Sequence, residues 1–141
     1  MSQCYVSYMS NDRDLKGVLV NNYILKEKYD SKYPYYCICI ENVSQKSKKI
    51  LTKYGINIIE FHFKELLLKN GLDNEYVDII INKHYYGKYL IFLINDFDKI
   101  CYLDTDLLIL KNLDNYFDSQ DIEDNTLYMV NDVLASPLEN T

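Results

Sequence analysis

The stretch Ile100-Cys101-Tyr102-Leu103-Asp104-Thr105-Asp106-Leu107-Leu108-Ile109-Leu110 sets two carboxylates, one residue apart, inside an otherwise apolar run. An apolar run of about four to eight residues reads as a buried strand. An ionised side chain inside one is costly unless it is paired or holds a cation. Asp104 and Asp106 at the mouth of such a strand therefore point to a divalent metal, because carboxylate oxygens suit Mg²⁺ or Mn²⁺. A metal so held keeps open positions for substrate phosphates and neutralises charge on a departing diphosphate. The competing reading of an Asp-x-Asp is a solvated turn, where Asp is common.

Elements on either side must carry the pair to a ligand. Cys4 to Met9 alternates as a strand, and Ser10-Asn11-Asp12 supplies turn residues and a helix N-cap. Leu15, Val18, Leu19, Asn22 and Leu25 recur at helical spacing, which predicts an amphipathic helix over 12–29. Tyr33-Pro34 breaks the chain before a second strand, Tyr35 to Ile40; Ser44 caps a helix that Gly55 ends, and Ile56 to Phe61 reads as a third strand. This β-α-β-α-β order predicts an α/β, Rossmann-like, mostly parallel sheet with helices on both faces. One or two short helices broken at Asn70-Gly71 are expected over 62–82, then a helix over 84–97 that delivers the chain to the strand ending at Asp104. Leu107 to Leu110 reads as a short strand, Leu113 to Phe117 as a helical turn and Thr126 to Val130 as a last strand. In an open parallel sheet, ligands bind beyond the carboxyl ends of the strands where strand order reverses. The ends of the first and fourth strands, at Ser7–Asp12 and Leu103–Asp106, fit that description.

Three ordered motifs add a family resemblance. Cys101-Tyr102-Leu103-Asp104-Thr105-Asp106-Leu107-Leu108-Ile109-Leu110-Lys111-Asn112-Leu113-Asp114-Asn115-Tyr116-Phe117 resembles the "YLDADTLVLKNIDELF" signature of glycosyltransferase family 8, the glycogenin-like group with the GT-A fold. Tyr5-Val6-Ser7-Tyr8-Met9-Ser10-Asn11-Asp12 with Lys16-Gly17-Val18-Leu19-Val20 is similar to that family's "FVTLTTND…KGALV". Gly87-Lys88-Tyr89-Leu90 stands where the family has its "TKL" or "SKL" lysine. The resemblance implies a protein that binds a nucleotide diphosphate sugar, a UDP-hexose, and transfers the sugar to an acceptor with retention. Asp104 and Asp106 would hold Mn²⁺ (or Mg²⁺), with Asp104 and the Thr105 backbone near the ribose. Tyr8, Ser10 and Asn11 would form the uracil and ribose pocket, and Lys88 would approach the diphosphate or sugar. A haloacid-dehalogenase-type phosphatase also ends a strand in Asp-x-Asp. Its motif has Thr where Leu108 stands here and normally opens the domain, so that reading is set aside.

The sequence also departs from the family. Asp14 stands where members often stack an aromatic ring on uracil, and His62 and His84 match no family ligand, so they are expected at the surface or in packing. The "NSG" segment, the acceptor-side acidic motif and the "HxxGxxKPW" motif, whose His is the third metal ligand, do not follow Asp132. The chain thus reads as the amino-terminal half of such a transferase. Its expected layout is a nucleotide-sugar-binding domain over 1–134, incomplete at its carboxyl end, and a polar tail over 135–141. No residue stands out as nucleophile or base. The rival reading is a catalytically inactive remnant serving as a binding or interaction module, with self-association or a partner completing the fold.

Composition is compatible with this. The 141 residues carry 15 Lys+Arg against 21 Asp+Glu, a formal charge of −6, which argues against nucleic acid or an anionic membrane as principal partner. No apolar stretch reaches the about 18 residues of a membrane span, and Met1-Ser2-Gln3 leads straight into strand-like sequence, so a cytoplasmic protein is expected. Cys4, Cys37, Cys39 and Cys101 lie in strand-like segments without CxxC spacing and read as buried, reduced thiols.

Overall fold

The computed structural model describes residues 2–83, 86–118 and 126–129. Gln3–Met9 (β1), Tyr35–Ile40 (β2), Asn57–Phe61 (β3) and Lys99–Tyr102 (β4) form one parallel sheet in the order β3-β2-β1-β4. Strand alternation divides the core in two. Tyr5, Met9, Tyr35, Cys37 and Cys39 turn to one face, and Cys4, Val6, Tyr8, Ile38 and Ile40 to the other. A strand buried on both sides is predominantly apolar, which fits the continuous run of β2 and a β1 whose one buried polar side chain, Ser7, has hydrogen-bond partners.

The first face is covered by Leu15–Tyr23 (α1) and Gln45–Lys53 (α2), which contribute Val18 and Leu51. The expected helix over 12–29 is helical nearly throughout but in three geometries: a 3₁₀ turn over Asp12–Asp14, then α1, then a π-helical turn over Ile24–Lys28. Ser44 caps α2 by accepting from the Ser47 N–H at 3.2 Å, and Gly55 ends it at φ +72°, a left-handed conformation that favours glycine. Phe63–Lys69 (α3) and Asn74–Asn82 (α4) sit on the second face, parted at Gly71 with φ +88°. Asp114–Asp118 (α5) follows the acid pair, close to the expected helical turn.

Three expectations are corrected. The segment over 84–97 is not an α-helix. Tyr86–Leu93 is a 3₁₀ helix, whose three-residue period puts Gly87 and Leu90 on one buried row, while His84 lies outside the described residues. Leu107 to Leu110 keeps a strand's alternation, with Ile109 buried and Leu108 and Leu110 exposed, but pairs with no strand among the described residues. Of the expected last strand, 126–129 is irregular and exposed, and Val130 lies outside the described residues, as do the 134/135 boundary and the tail. All four cysteines are free thiols; Cys4, Cys37 and Cys39 are buried as expected, while Cys101 is only half-buried. Burial pushes the Cys4 thiol up to about 12, so it stays an inert thiol at neutral pH.

Candidate functional site

The sheet order makes the site. From β1 the chain moves outward to β2 and β3, then crosses back to lay β4 on the other side of β1. The carboxyl ends of β1 and β4 therefore flank the point where strand order reverses, the place where open parallel sheets bind ligands. A cleft of about 200 Å³ opens there, lined by Tyr8, Ser10 and Asp14 from the β1 side and by Lys88, Tyr102, Asp104, Thr105 and Asp106 from the other. Every residue singled out from the sequence lines it except Asn11.

On the β1 side, Tyr8 is 7% exposed and presents its phenol to the backbone of Gly87. A Cβ at Gly87 would overlap the Tyr8 ring, so glycine is what lets the 3₁₀ helix carrying Lys88 close on β1. Burial first, then the carboxylates of Asp14 and Glu41, push the Tyr8 phenol well above its ordinary range, leaving it a neutral hydrogen-bonding group. Asp14 organises the loop: its Oδ2 accepts from the Ser10 N–H at 2.8 Å, the Ser10 hydroxyl at 3.0 Å and the Asn11 N–H at 3.4 Å. Asn11 is taken up in capping. Its Oδ1 accepts from the Arg13 N–H at 2.9 Å and its Nδ2 donates to Ser10 Oγ at 2.9 Å, so it stands behind Ser10 rather than in the cleft.

On the β4 side the strand ends at Tyr102, Leu103 is buried, and Asp104 and Asp106 are exposed in the turn that follows. The pair thus lies just past the strand rather than within it, and its carboxylates bear no burial penalty. Sequence reasoning overlooked Tyr102 and gave Asp14 no role beyond a lost stacking position. The signal for Tyr102 was its place as the last residue of the strand that delivers the acid pair. Burial and the adjacent Asp104 carboxylate push its phenol up as well. His62, before α3, is exposed as expected.

Charge in the cleft is uncompensated. Three carboxylates face one ammonium, and among the described residues none of Asp14, Asp104, Asp106 or Lys88 is drawn into an ion pair. Asp14 is occupied by the Ser10 loop and Asp104 also faces the Tyr102 phenol, which leaves Asp104 and Asp106 as the cleft carboxylates outside any ion pair among the described residues that can turn oxygens to a cation. Among the described residues no three His, Cys, Asp or Glu side chains group to hold a metal unaided. The donor set fits a hard divalent cation shared with a phosphate ligand, since Mg²⁺-type ions are often held by one or two carboxylates with substrate phosphates and water completing the shell. It does not fit a metal enclosed by protein.

A family model described as "Mannosyltransferase putative" matches residues 24–137, a span that includes Lys88 and the acid pair and begins after the Tyr8–Asn11 segment. Two curated relatives match as well. The uncharacterized protein R707 of Acanthamoeba polyphaga mimivirus is 28% identical over 120 residues, 82% of this chain and 40% of that protein. The uncharacterized protein C4C3.09 of Schizosaccharomyces pombe is 33% identical over 91 residues, 63% of this chain and 24% of that protein. The chain spans less than half the length of these relatives. Among the described residues no helix is long and apolar enough to cross a membrane. With the model matching most of its length, the chain belongs to this mannosyltransferase family and is glycosyltransferase-like.

Proposed function

We propose that the chain is the donor-binding part of a hexosyltransferase and takes a nucleoside diphosphate sugar in the cleft between β1 and β4. The observation that carries this is the convergence of Tyr8, Ser10, Lys88, Asp104, Thr105 and Asp106 at the switch point of a parallel sheet. The family description favours mannose as the transferred hexose. The glycogenin-like affiliation, a UDP carrier and retention of configuration belong to the same proposal and rest on the sequence motifs.

In this reading Asp104 and Asp106 would hold Mn²⁺ or Mg²⁺, which when bound supplies charge neutralisation to the diphosphate. The chain's own groups do the rest. Lys88 offers an ammonium to the phosphate or sugar oxygens, a point charge on the leaving side. Ser10, fixed by Asp14, presents a hydroxyl at the end of β1, and the Tyr8 and Tyr102 rings give the cleft wall apolar surface with phenol donors. Among the described residues no group in the cleft is nominated as nucleophile or general base toward the sugar.

Calorimetric titration with UDP and with GDP, each with and without Mn²⁺, tests the proposal. Mn²⁺-dependent binding of at least one nucleotide is expected, abolished by Asp104→Ala or Asp106→Ala, and comparison of the two nucleotides identifies the carrier. Failure of both to bind under any condition would leave a non-catalytic interaction module as the better reading.

A further inference from the structure

The acid-pair turn is gripped from behind by groups that do not line the cleft. Three consecutive carbonyls, those of Leu103, Asp104 and Thr105, each meet a dedicated partner. Ser7 Oγ, on β1, donates to the Leu103 carbonyl at 2.5 Å and accepts from the Tyr35 hydroxyl at 2.6 Å, so a relay crosses two strands to reach the end of β4. Asn21 Nδ2, on α1, donates to the Asp104 carbonyl at 3.0 Å. One helical turn earlier, Gly17 abuts the Thr105 carbonyl so closely that any Cβ there would overlap it. Ser7 and Asn21 are wholly buried and Tyr35 is 1% exposed.

Packing alone does not account for these residue types. Among the described residues Asn21 Oδ1 is buried without a partner, and an unsatisfied buried acceptor destabilises the fold. An apolar residue of the same size would remove that penalty and would also remove the bond to Asp104. Ser7 likewise places a buried hydroxyl on a central strand, where it takes the Tyr35 hydrogen and donates its own to Leu103, joining β2 to the end of β4. Burial pushes the Tyr35 phenol up, so it remains a proton donor across the ordinary pH range.

We infer that Ser7, Asn21 and Gly17, with Tyr35 behind Ser7, are positioning residues that hold the Asp104–Asp106 turn in ligand-ready geometry before any cation or nucleotide arrives. A pre-ordered turn spares the ordering cost that binding would otherwise carry. Groups that orient ligands in this way typically affect metal affinity about 10- to 100-fold when removed. The inference rests on the donor-binding reading for its purpose, but its physical content, a rigid turn, can be measured without ligand.

Two measurements on the full chain test it, using Asn21→Leu and Ser7→Ala. In the ligand-free protein, backbone ¹⁵N order parameters at Asp104, Thr105 and Asp106 should be near the rigid value of about 0.85 and fall below about 0.6 in either variant, with β2 unaffected. In Mn²⁺ plus UDP or GDP, Asn21→Leu should weaken the metal-dependent part of binding about 10- to 100-fold without lowering the melting temperature. Tyr35→Phe should give a smaller loss, since Ser7 can still donate to Leu103. Unchanged order parameters in both variants would overturn the inference, as would undiminished metal-dependent binding in Asn21→Leu. A wild-type protein that ignores Mn²⁺ while its turn loosens in the variants would count against the donor-binding reading and in favour of the clamp.

Discussion

Asp14 and Gly87 show how much of a site rests on residues that sequence chemistry passes over. Asp14 stood out in the sequence only as a missing aromatic, yet its carboxylate ties Ser10 and Asn11 into one loop. Gly87 carried no chemistry at all, and its role appears only when the 3₁₀ row brings it against Tyr8. The acid pair and Lys88 were legible because charged groups flanked by apolar ones are conspicuous in sequence; a hydrogen between two packed surfaces is not. Gly87→Ala forces a methyl into the Tyr8 ring, an overpacking expected to cost about 1–3 kcal/mol. Urea denaturation should show a lower midpoint at unchanged slope. In a Tyr8→Ala background the same substitution should cost much less, because the ring it strikes is gone. Equal cost in both backgrounds would mean that the strain lies elsewhere.

At the scale of elements, the four strands of the sheet and the caps were legible, while the irregular helices and the unpaired extended segment after the acid pair were not. β2 falls where aromatic and β-branched residues bounded by Pro34 put it, and Ser44, Gly55 and Gly71 punctuate the helices as their side chains, or lack of them, require. The 3₁₀ helix over Tyr86–Leu93 was missed because its apolar residues fit an α-helical period as well; contact with Tyr8, a tertiary matter, selects the tighter winding. Leu107 to Leu110 has strand-like alternation because one side packs and the other is exposed, and alternation does not reveal whether a partner strand is present. The helix that follows has its own anchor. Asp114, on α5, accepts from the Tyr5 hydroxyl at 2.7 Å, the Ser31 hydroxyl at 2.6 Å and the Lys32 N–H at 3.0 Å. Burial alone would raise this carboxyl, but the Ser31, Tyr5 and Lys32 hydrogen bonds outweigh it and hold it below the ordinary carboxylate range. A carboxyl depressed in the folded state stabilises fully above its unfolded value of about 3.9 and ceases to do so as pH falls through the folded value. Asp114→Asn should therefore lower the melting temperature at neutral pH and flatten its decline below about pH 4. An acid limb identical to wild type would show that other carboxylates govern it.

Across the whole molecule, the charge of −6 and a cleft bearing three carboxylates against one lysine pose a problem for any anionic ligand. A nucleoside diphosphate approaches against repulsion from the protein at large and from the site itself. Salt screens that repulsion, so nucleotide affinity measured without divalent cation should be weak and should rise between roughly 0.02 and 0.2 M salt, where the screening length contracts from about 20 Å to about 7 Å. With Mn²⁺ present the dominant interactions become attractive, carboxylate to cation and cation to phosphate, and added salt should then weaken binding. Opposite salt slopes with and without Mn²⁺ are the expected signature of a ligand bridged to the protein by metal. Nucleotide held by Lys88 and the tyrosines alone would give a shallow slope unaffected by Mn²⁺, and the Asp104→Ala protein should behave in that way if the acid pair is the bridge. Titrations at four or five salt concentrations on wild type and Asp104→Ala distinguish the two cases. Parallel slopes in wild type with and without Mn²⁺ would remove the metal from the donor-binding proposal.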